Sequence, residues 1–254
     1  MRRIRFACAR AILVFVPAIL LSQSQPLSST QATALVSQAI QASTGSVSLT
    51  DITLQAQATY IAGSDPETGT ATLEATSRDE SLVVLNLSGG TRQWLRGWAQ
   101  GEPAGSLLAG AWTGTDGVEH AVALHNLWTD AAWFFPALTL TQAASDPSAV
   151  LVYVGAETKL GIPVEHIQVS QTLPAQPQMA AIIQRLSATD VYLDASSGLP
   201  VALDFNVHPD DNAAINIPAE IRYSNYQLVS GMRVPFHIQK YLQGSLVLDL
   251  VVSS

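Results

Sequence analysis

Tyr226–Ser254 reads YQLVSGMRVPFHIQKYLQGSLVLDLVVSS. Within it Val234, Phe236 and Ile238, then Leu246, Leu248, Leu250 and Val252 after Gly244, recur at every second position. Successive side chains of a β-strand point to opposite faces, so this spacing predicts two adjoining strands, each with one dry face. The residues upstream repeat the pattern. Leu199, Val201, Leu203, Phe205 and Val207 alternate with Pro200, Ala202, Asp204, Asn206 and His208. Ile215, Ile217, Ala219, Ile221 and Tyr223 alternate with Asn216, Pro218, Glu220, Arg222 and Ser224. Several long antiparallel strands that share a dry face must curl around something, and the uniform greasiness of that face predicts a container.

Toward the N-terminus the period changes. Ser28, Ser29 or Thr30 can cap a helix that carries Leu35, Val36, Ala39 and Ile40 on one side, with Gly45 as its stop. Ile52, Leu54, Ala56, Ala58 and Tyr60 then alternate with polar residues, the segment Gly63–Gly69 (GSDPETG) is expected to turn the chain, and Ala71, Leu73 and Ala75 resume the alternation. LVVLNLS at 82–88 and TRQWLRGW at 91–98 read as further meander strands, and residues 151–170 as a hairpin around AETKLG. PQMAAIIQRLS at 177–187 places Met179, Ile182, Ile183 and Leu186 on one face of a short helix.

One segment breaks the β pattern. Gly117–Leu140 (GVEHAVALHNLWTDAAWFFPALTL) contains only two acids, Glu119 and Asp130, and no Lys or Arg. Read as a helix it has one stripe of Val118, Ala121, Val122, His125, Trp128 and Ala132 and a second of Leu124, Leu127 and Ala131. Such a helix is apolar around most of its circumference, so it is expected to be buried or to cover a cavity. Trp94, Trp98, Trp112, Trp128 and Trp133, the five tryptophans, all fall in this middle part of the chain, with Phe134 and Phe135 beside them.

The chain has 254 residues, of which only 13% are charged, and a mean hydropathy of +0.23. Arg2, Arg3, Arg5 and Arg10 precede the apolar run Ala11–Leu21, and SQSQP follows it. Residues 1–24 are therefore read as a cleaved secretory signal and 25–254 as a single periplasmic domain with no stable membrane span after cleavage. Cys8, the only cysteine, precedes the apolar run, so no lipid-modified cysteine, disulfide or thiol chemistry is expected in the mature chain. With 20 acidic residues against 12 basic ones, four of them in the leader, the charge opposes binding to nucleic acid.

No motif carries catalytic chemistry. His120 and His125 are five apart, not the i, i+4 pair of a zinc protease helix. His208, Asp210 and Asp211 sit around Pro209 as in a solvated hairpin turn, and His166 and His237 occupy strand positions where an outward histidine is ordinary. No G-x-S-x-G elbow or phosphate-cradling glycine loop occurs. A hydrolase built on converging carboxylates has no motif in its support. The expectation is a binding protein with no metal and no cofactor, not an enzyme. Its candidate cavity residues are Trp94, Trp98, Trp128, Trp133, Phe134, Phe135, Leu203, Phe205 and Phe236.

Tyr192-Leu193-Asp194, then Gly198, Leu199 and Pro200, then Tyr223-Ser224-Asn225-Tyr226 with Gly231, Val234, Pro235 and Phe236, resemble the C-terminal half of the LolA-like superfamily of outer-membrane lipoprotein carriers and sorting proteins. The resemblance implies a mainly β (α+β) fold: a strongly curved, unclosed antiparallel half-barrel of about eleven strands with helices over its concave face, where relatives hold lipid or lipoprotein acyl chains. It implies a monomeric carrier of a hydrophobic ligand in the cell envelope, or an envelope interaction or sensor domain of the same fold with a self-filled pocket and protein partners. The sequence departs from the group in lacking the lipobox of lipid-anchored relatives, and neither Arg92 nor Arg96 is assigned the carrier's lid-locking role.

Overall fold

The structure is a computed structural model that describes residues 28–63, 65–98, 108–129, 132–173 and 175–254. The signal assigned to residues 1–24 lies outside the described residues. Helix α1 (Thr30–Thr44) begins where the caps predict: Ser29 Oγ accepts the Ala32 N–H at 3.1 Å, and Gly45, at φ 58°, donates its N–H to Gln41 O. Its inward face of Ala32, Val36 and Ala39 is fully buried.

Two antiparallel meanders follow. The first comprises β1 (Asp51–Ala62), β2 (Asp65–Thr76), β3 (Ser81–Leu87), β4 (Gly90–Trp98), β5 (Leu108–Thr113) and β6 (Glu119–Ala121). After helix α2 (Pro136–Ser145) the second comprises β7 (Ala149–Lys159), β8 (Ile162–Gln171), β9 (Thr189–Asp194), β10 (Pro200–Val207), β11 (Ile217–Val229), β12 (Met232–Leu242) and β13 (Ser245–Val252), with α3 (Ala180–Ser187) between β8 and β9. Pairing of β1 with β13, from Ala56↔Val252 to Tyr60↔Leu248, welds the meanders into one 13-stranded curved sheet. The C-terminal strands therefore sit mid-sheet, which explains their unbroken apolar alternation. The sheet stays unclosed, with β6 and β7 as its edges. Edge β6 has three residues, while β7 carries a bulge at Gly155 and is covered near Leu151 by Ser28 and Ser29. Short, bulged or covered edges discourage strand addition.

The inner face is the core. Leu54, Leu73, Leu85, Ile167, Ile221, Ile238 and Leu250 are all at most 2% exposed. Each stabilises the fold by about 1.5–3 kcal/mol relative to an exposed position. Helices α1 and α2 pack on each other and lie over this face, whereas α3 rests against β8.

Three expectations are corrected. The turn after Ala62 is far tighter than GSDPETG, because Asp65–Gly69 already pairs with Tyr60, Ile61 and their neighbours in β1. The outer face is not uniformly wet: Ala202, Val164 and Tyr192 form a small second cluster there, and His208 is only 4% exposed rather than part of a solvated turn. The segment 117–140 is not one helix. Gly117, at φ 72°, turns the chain and β5 draws Glu119–Ala121 into its ladder. A 3-10 turn follows at Leu124–Asn126, and Pro136 opens α2 from its first turn instead of interrupting a longer helix. A stretch apolar on nearly every side yields helical stripes by chance, so its periodicity carried no information about its conformation.

Candidate cavity under a strap

Residues 122–129 and 132–135 cross the concave side as a strap tethered at four places. Val122 N–H donates to Gly110 O at 2.8 Å, and Gly110 is open enough to seat Leu127, since a Cβ there would lie 2.7 Å from Leu127 Cδ2. His125 Nε2 donates to Pro209 O at 2.9 Å, and Asn126 makes a two-way clasp with the His208 backbone at 2.7 and 2.8 Å. Arg96 Nη1 donates to Thr129 O at 2.9 Å. The buried Tyr223 hydroxyl donates to Trp133 O. These partners lie on β4, β5, β11 and the β10–β11 connection, so the strap binds the two meanders together across their open side.

Two cavities flank it. The larger, about 570 Å³, has apolar walls of Val169, Val191, Leu203 and Phe205 from β8–β10 and of Trp128 and Trp133 from the strap. Its other end is polar, with Arg78, Asp79, Arg96, Gln142 and Asp146. The smaller, about 280 Å³, is bounded by Tyr60, Trp94, Leu127, Lys240 and Leu248. Arg96, Thr129 and Trp133 border both, so the tethered strap forms the partition between them. The Trp133 ring is 7% exposed, stands edge-on to Phe134 at 5.7 Å and has Lys240 Nζ 4.7 Å from its centroid. Volumes of ~300–1,000 Å³ with apolar walls and a few polar groups are those of small-molecule sites.

At the polar end, burial pushes the Asp79 carboxyl above the usual carboxylate range; Arg96, whose Nη2 is 3.9 Å from Asp79 Oδ1, works against that shift, and the Asp146 charge adds to it. Farther along the inner face, Arg92 forms a two-pronged pair with Glu67 at 2.7 and 2.9 Å and lies over the Tyr60 ring. The Arg92 hydrogen bond holds the Glu67 carboxyl below its ordinary range.

The sequence-derived cavity residues divide. Trp128, Trp133, Leu203 and Phe205 line the larger cavity, and Trp94 joins Trp133 on the smaller. Phe134 and Phe135 are fully buried in the core, and Phe236 packs against that core rather than on a cavity wall. The Trp98 side chain lies outside the described residues. Arg96, weighed but left without a role, and the His125–Asn126–His208 clasp were not placed at the site by sequence reasoning. Their bonds join residues 33 and more than 80 positions apart, and no local spacing announces them.

The outer face carries ion-pair networks. Lys159 Nζ bridges Asp204 at 2.7 Å and Glu220 at 3.0 Å above the Tyr192 ring, and Arg222 joins Glu220 at 2.6 Å. His166 lies between Glu157 and Asp190, at 2.6 and 3.0 Å. Ser224, His237 and Asp249 line up across β11–β13, with Ser224 Oγ 3.3 Å from His237 Nδ1 and His237 Nε2 2.7 Å from Asp249 Oδ1. Neither cavity reaches this row, which joins outward neighbours on adjoining strands.

No protein-family model matches the sequence, and no curated protein matches it. Solved structures do resemble it in fold. A protein domain from Vibrio parahaemolyticus described as outer membrane lipoprotein-sorting superposes with a TM-score of 0.54 at 10% identity, covering 88% of this chain and 91% of its own. A DUF1329 family protein from Desulfovibrio piger gives 0.51 at 11% identity over 91% and 92% of the two chains. A LolA superfamily protein from Nitrosomonas europaea gives 0.49 at 10% identity over 88% and 91%. The curved, unclosed antiparallel sheet with helices and a strap across its concave side is a LolA-like fold.

Proposed function

We propose that the protein is a periplasmic carrier or binding protein for the acyl chains of lipids or lipoproteins, not an enzyme, and that residues 25–254 work as one monomeric domain. The observation that carries this reading is the cavity of about 570 Å³ left between Val191, Leu203, Phe205 and the strap tryptophans, beside a core in which Phe134, Phe135, Leu138 and Leu140 are closely buried. The lipoprotein-sorting description of the Vibrio relative supports it. Burial of ~0.8 kcal/mol per methylene makes ten methylenes worth ~8 kcal/mol before the cost of association, enough for useful, reversible affinity.

The experiment is native mass spectrometry of gently purified protein, followed by titration with lipids and lipopeptides under tryptophan fluorescence. Co-purified lipid, or saturable changes in emission, is the expected result. A ligand-free protein whose fluorescence ignores every amphiphile sinks the reading. Complete burial of Phe134 and Phe135 favours a second reading, an envelope interaction or sensor domain that has filled part of its own pocket. In that case alanine at Trp128 or Trp133 lowers stability without altering ligand uptake, and partner capture depends on the exposed positions of loops such as HPDDNAA at 208–214.

A further inference from the structure

The second meander carries on its outer face a groove that the acyl-chain reading does not use. It encloses about 570 Å³ and is lined by side chains of β8–β11, by Gln184 and Arg185 of α3 and by Lys159 of β7. Gln168, Asp190, Asp204 and Glu220 stand in register across four adjoining strands, so three carboxylates lie side by side. Like charges in that position repel. Here they are answered from within the protein. Lys159 Nζ bridges Asp204 and Glu220, Arg222 joins Glu220, and Asp190 Oδ1 takes His166 Nε2 and Gln168 Nε2, both at 3.0 Å. Arg185 is held by Ala213 O at 2.8 Å and Asn216 Oδ1 at 3.2 Å. What the groove has left to offer is mainly neutral. Gln184 on α3 and Asn206 on β10 are half-buried, yet neither side-chain amide makes a hydrogen bond among the described residues. Gln168 Oε1 and Asp190 Oδ2 make none there either. Pro218, the cross-strand neighbour of Asn206, sets an exposed apolar ring beside them.

We propose that this groove binds a neutral saccharide, with Gln184, Asn206 and the remaining oxygens of Gln168 and Asp190 meeting its hydroxyls and Pro218 lying against the C–H face of a sugar ring. A side-chain amide sets donors beside an acceptor, and a pair of adjacent hydroxyls presents the same set in reverse; a carboxylate oxygen accepts from a third hydroxyl. The ionic groups are matched to one another, so a charged ligand gains nothing that Lys159, Arg222 and His166 do not already supply. The floor lies in mid-sheet, where main-chain groups are used in the strand ladders, so an extended peptide finds no edge to join and side chains must do the recognising. A volume of this size is that of a small-molecule site. Asp204 and Asn206 point away from the buried Leu203 and Phe205, which places the groove on the opposite side of the sheet from the cavity under the strap. The saccharide site therefore stands or falls independently of the acyl-chain reading.

The test combines saturation-transfer NMR with calorimetric titration of the purified protein, using glucose, N-acetylglucosamine, maltose, cellobiose and chitobiose as free sugars and dodecyl maltoside as a sugar on a chain. At least one free sugar is expected to bind with a Kd of about 1 mM or tighter, the worth of a few neutral hydrogen bonds. Q184A and N206A are each expected to weaken that sugar about threefold to tenfold, and the double variant by more than tenfold. Thermal melts are expected to stay at the wild-type midpoint, because neither amide holds a partner in the fold. Should N206A fold poorly, Q184A alone gives the same reading. Failure of every free sugar to bind overturns the proposal. Binding undiminished in the double variant overturns the assignment to this groove. Binding of dodecyl maltoside with all free sugars silent overturns it too, and leaves the acyl-chain reading standing.

Discussion

Replacing Trp133 with alanine separates packing from ligand binding within one side chain. The ring is 7% exposed, edge-on to Phe134 and within 4.7 Å of the Lys240 ammonium. Burial of so large a ring, with ~0.5–1.5 kcal/mol for the aromatic pair and ~0.5–1 for the cation, places the loss in the ~3–5 kcal/mol range of large-to-alanine core changes. The lower end, about 3 kcal/mol, is expected because Trp133 already borders both cavities and less new void is created. Alanine keeps the main-chain carbonyl, so the Tyr223 tether persists and the change reports on the ring alone. Urea unfolding followed by circular dichroism measures the loss. Titration with fatty acids of increasing length measures the second effect: W133A removes the partition between the cavities and shifts the preferred ligand toward longer chains. A midpoint change worth under about 1 kcal/mol refutes the packing argument. An unchanged length optimum refutes the claim that these cavities hold chains.

Three further outcomes test the structure elsewhere. G110V puts a branched side chain where a Cβ already lies 2.7 Å from Leu127 Cδ2, so it is expected to cost ~1–3 kcal/mol by displacing the strap, read as a lower urea midpoint. D79N is expected to stabilise the protein at neutral pH. The folded-state pKa of Asp79 is raised above 3.8, so its charged form opposes folding above the folded pKa, and that penalty vanishes as the pH falls below the unfolded value. The advantage of D79N over wild type therefore disappears in urea titrations below the 3.8 reference, and an advantage that grows there contradicts the assignment. D194A removes a carboxylate oxygen that accepts the Ser196 N–H, the Ser196 hydroxyl and the Ser197 N–H at 2.7, 2.6 and 2.9 Å. These bonds, the Ser196 hydroxyl foremost, depress its pKa, so its contribution is present above the unfolded carboxylate pKa and is lost as the pH falls through the folded one. The expected cost is ~1 kcal/mol at neutral pH, shrinking in acid, and a cost independent of pH places the effect elsewhere.

Most of the strand pattern was legible because strands write their facing into the sequence every second residue. The alternation through Leu203, Phe205, Ile221, Ile238, Leu248 and Leu250 names the inward side chains, all at most 5% exposed. The Ser29 and Gly45 caps were equally local, one hydroxyl and one left-handed residue. The middle segment was opaque for the opposite reason: where nearly every residue is apolar, no period distinguishes helix from strap. β6 was missed with it, since a strand of three residues with a fully exposed pattern leaves no alternation to read.

The candidate site divides along the same line. Composition and alternation alone determined that this chain builds a greasy, curved antiparallel wall and that its tryptophans gather near the middle, because burial and facing are properties each residue carries with it. Tertiary structure decided which aromatics plug the interior and which border open space, since Phe134 and Trp133 are neighbours in sequence, yet the first is sealed in the core and the second lines a cavity. It also decided that Arg96, Asn126 and Tyr223 hold the strap, for a hydrogen bond needs two groups within about 3 Å and a linear sequence fixes no distance between residues tens of positions apart.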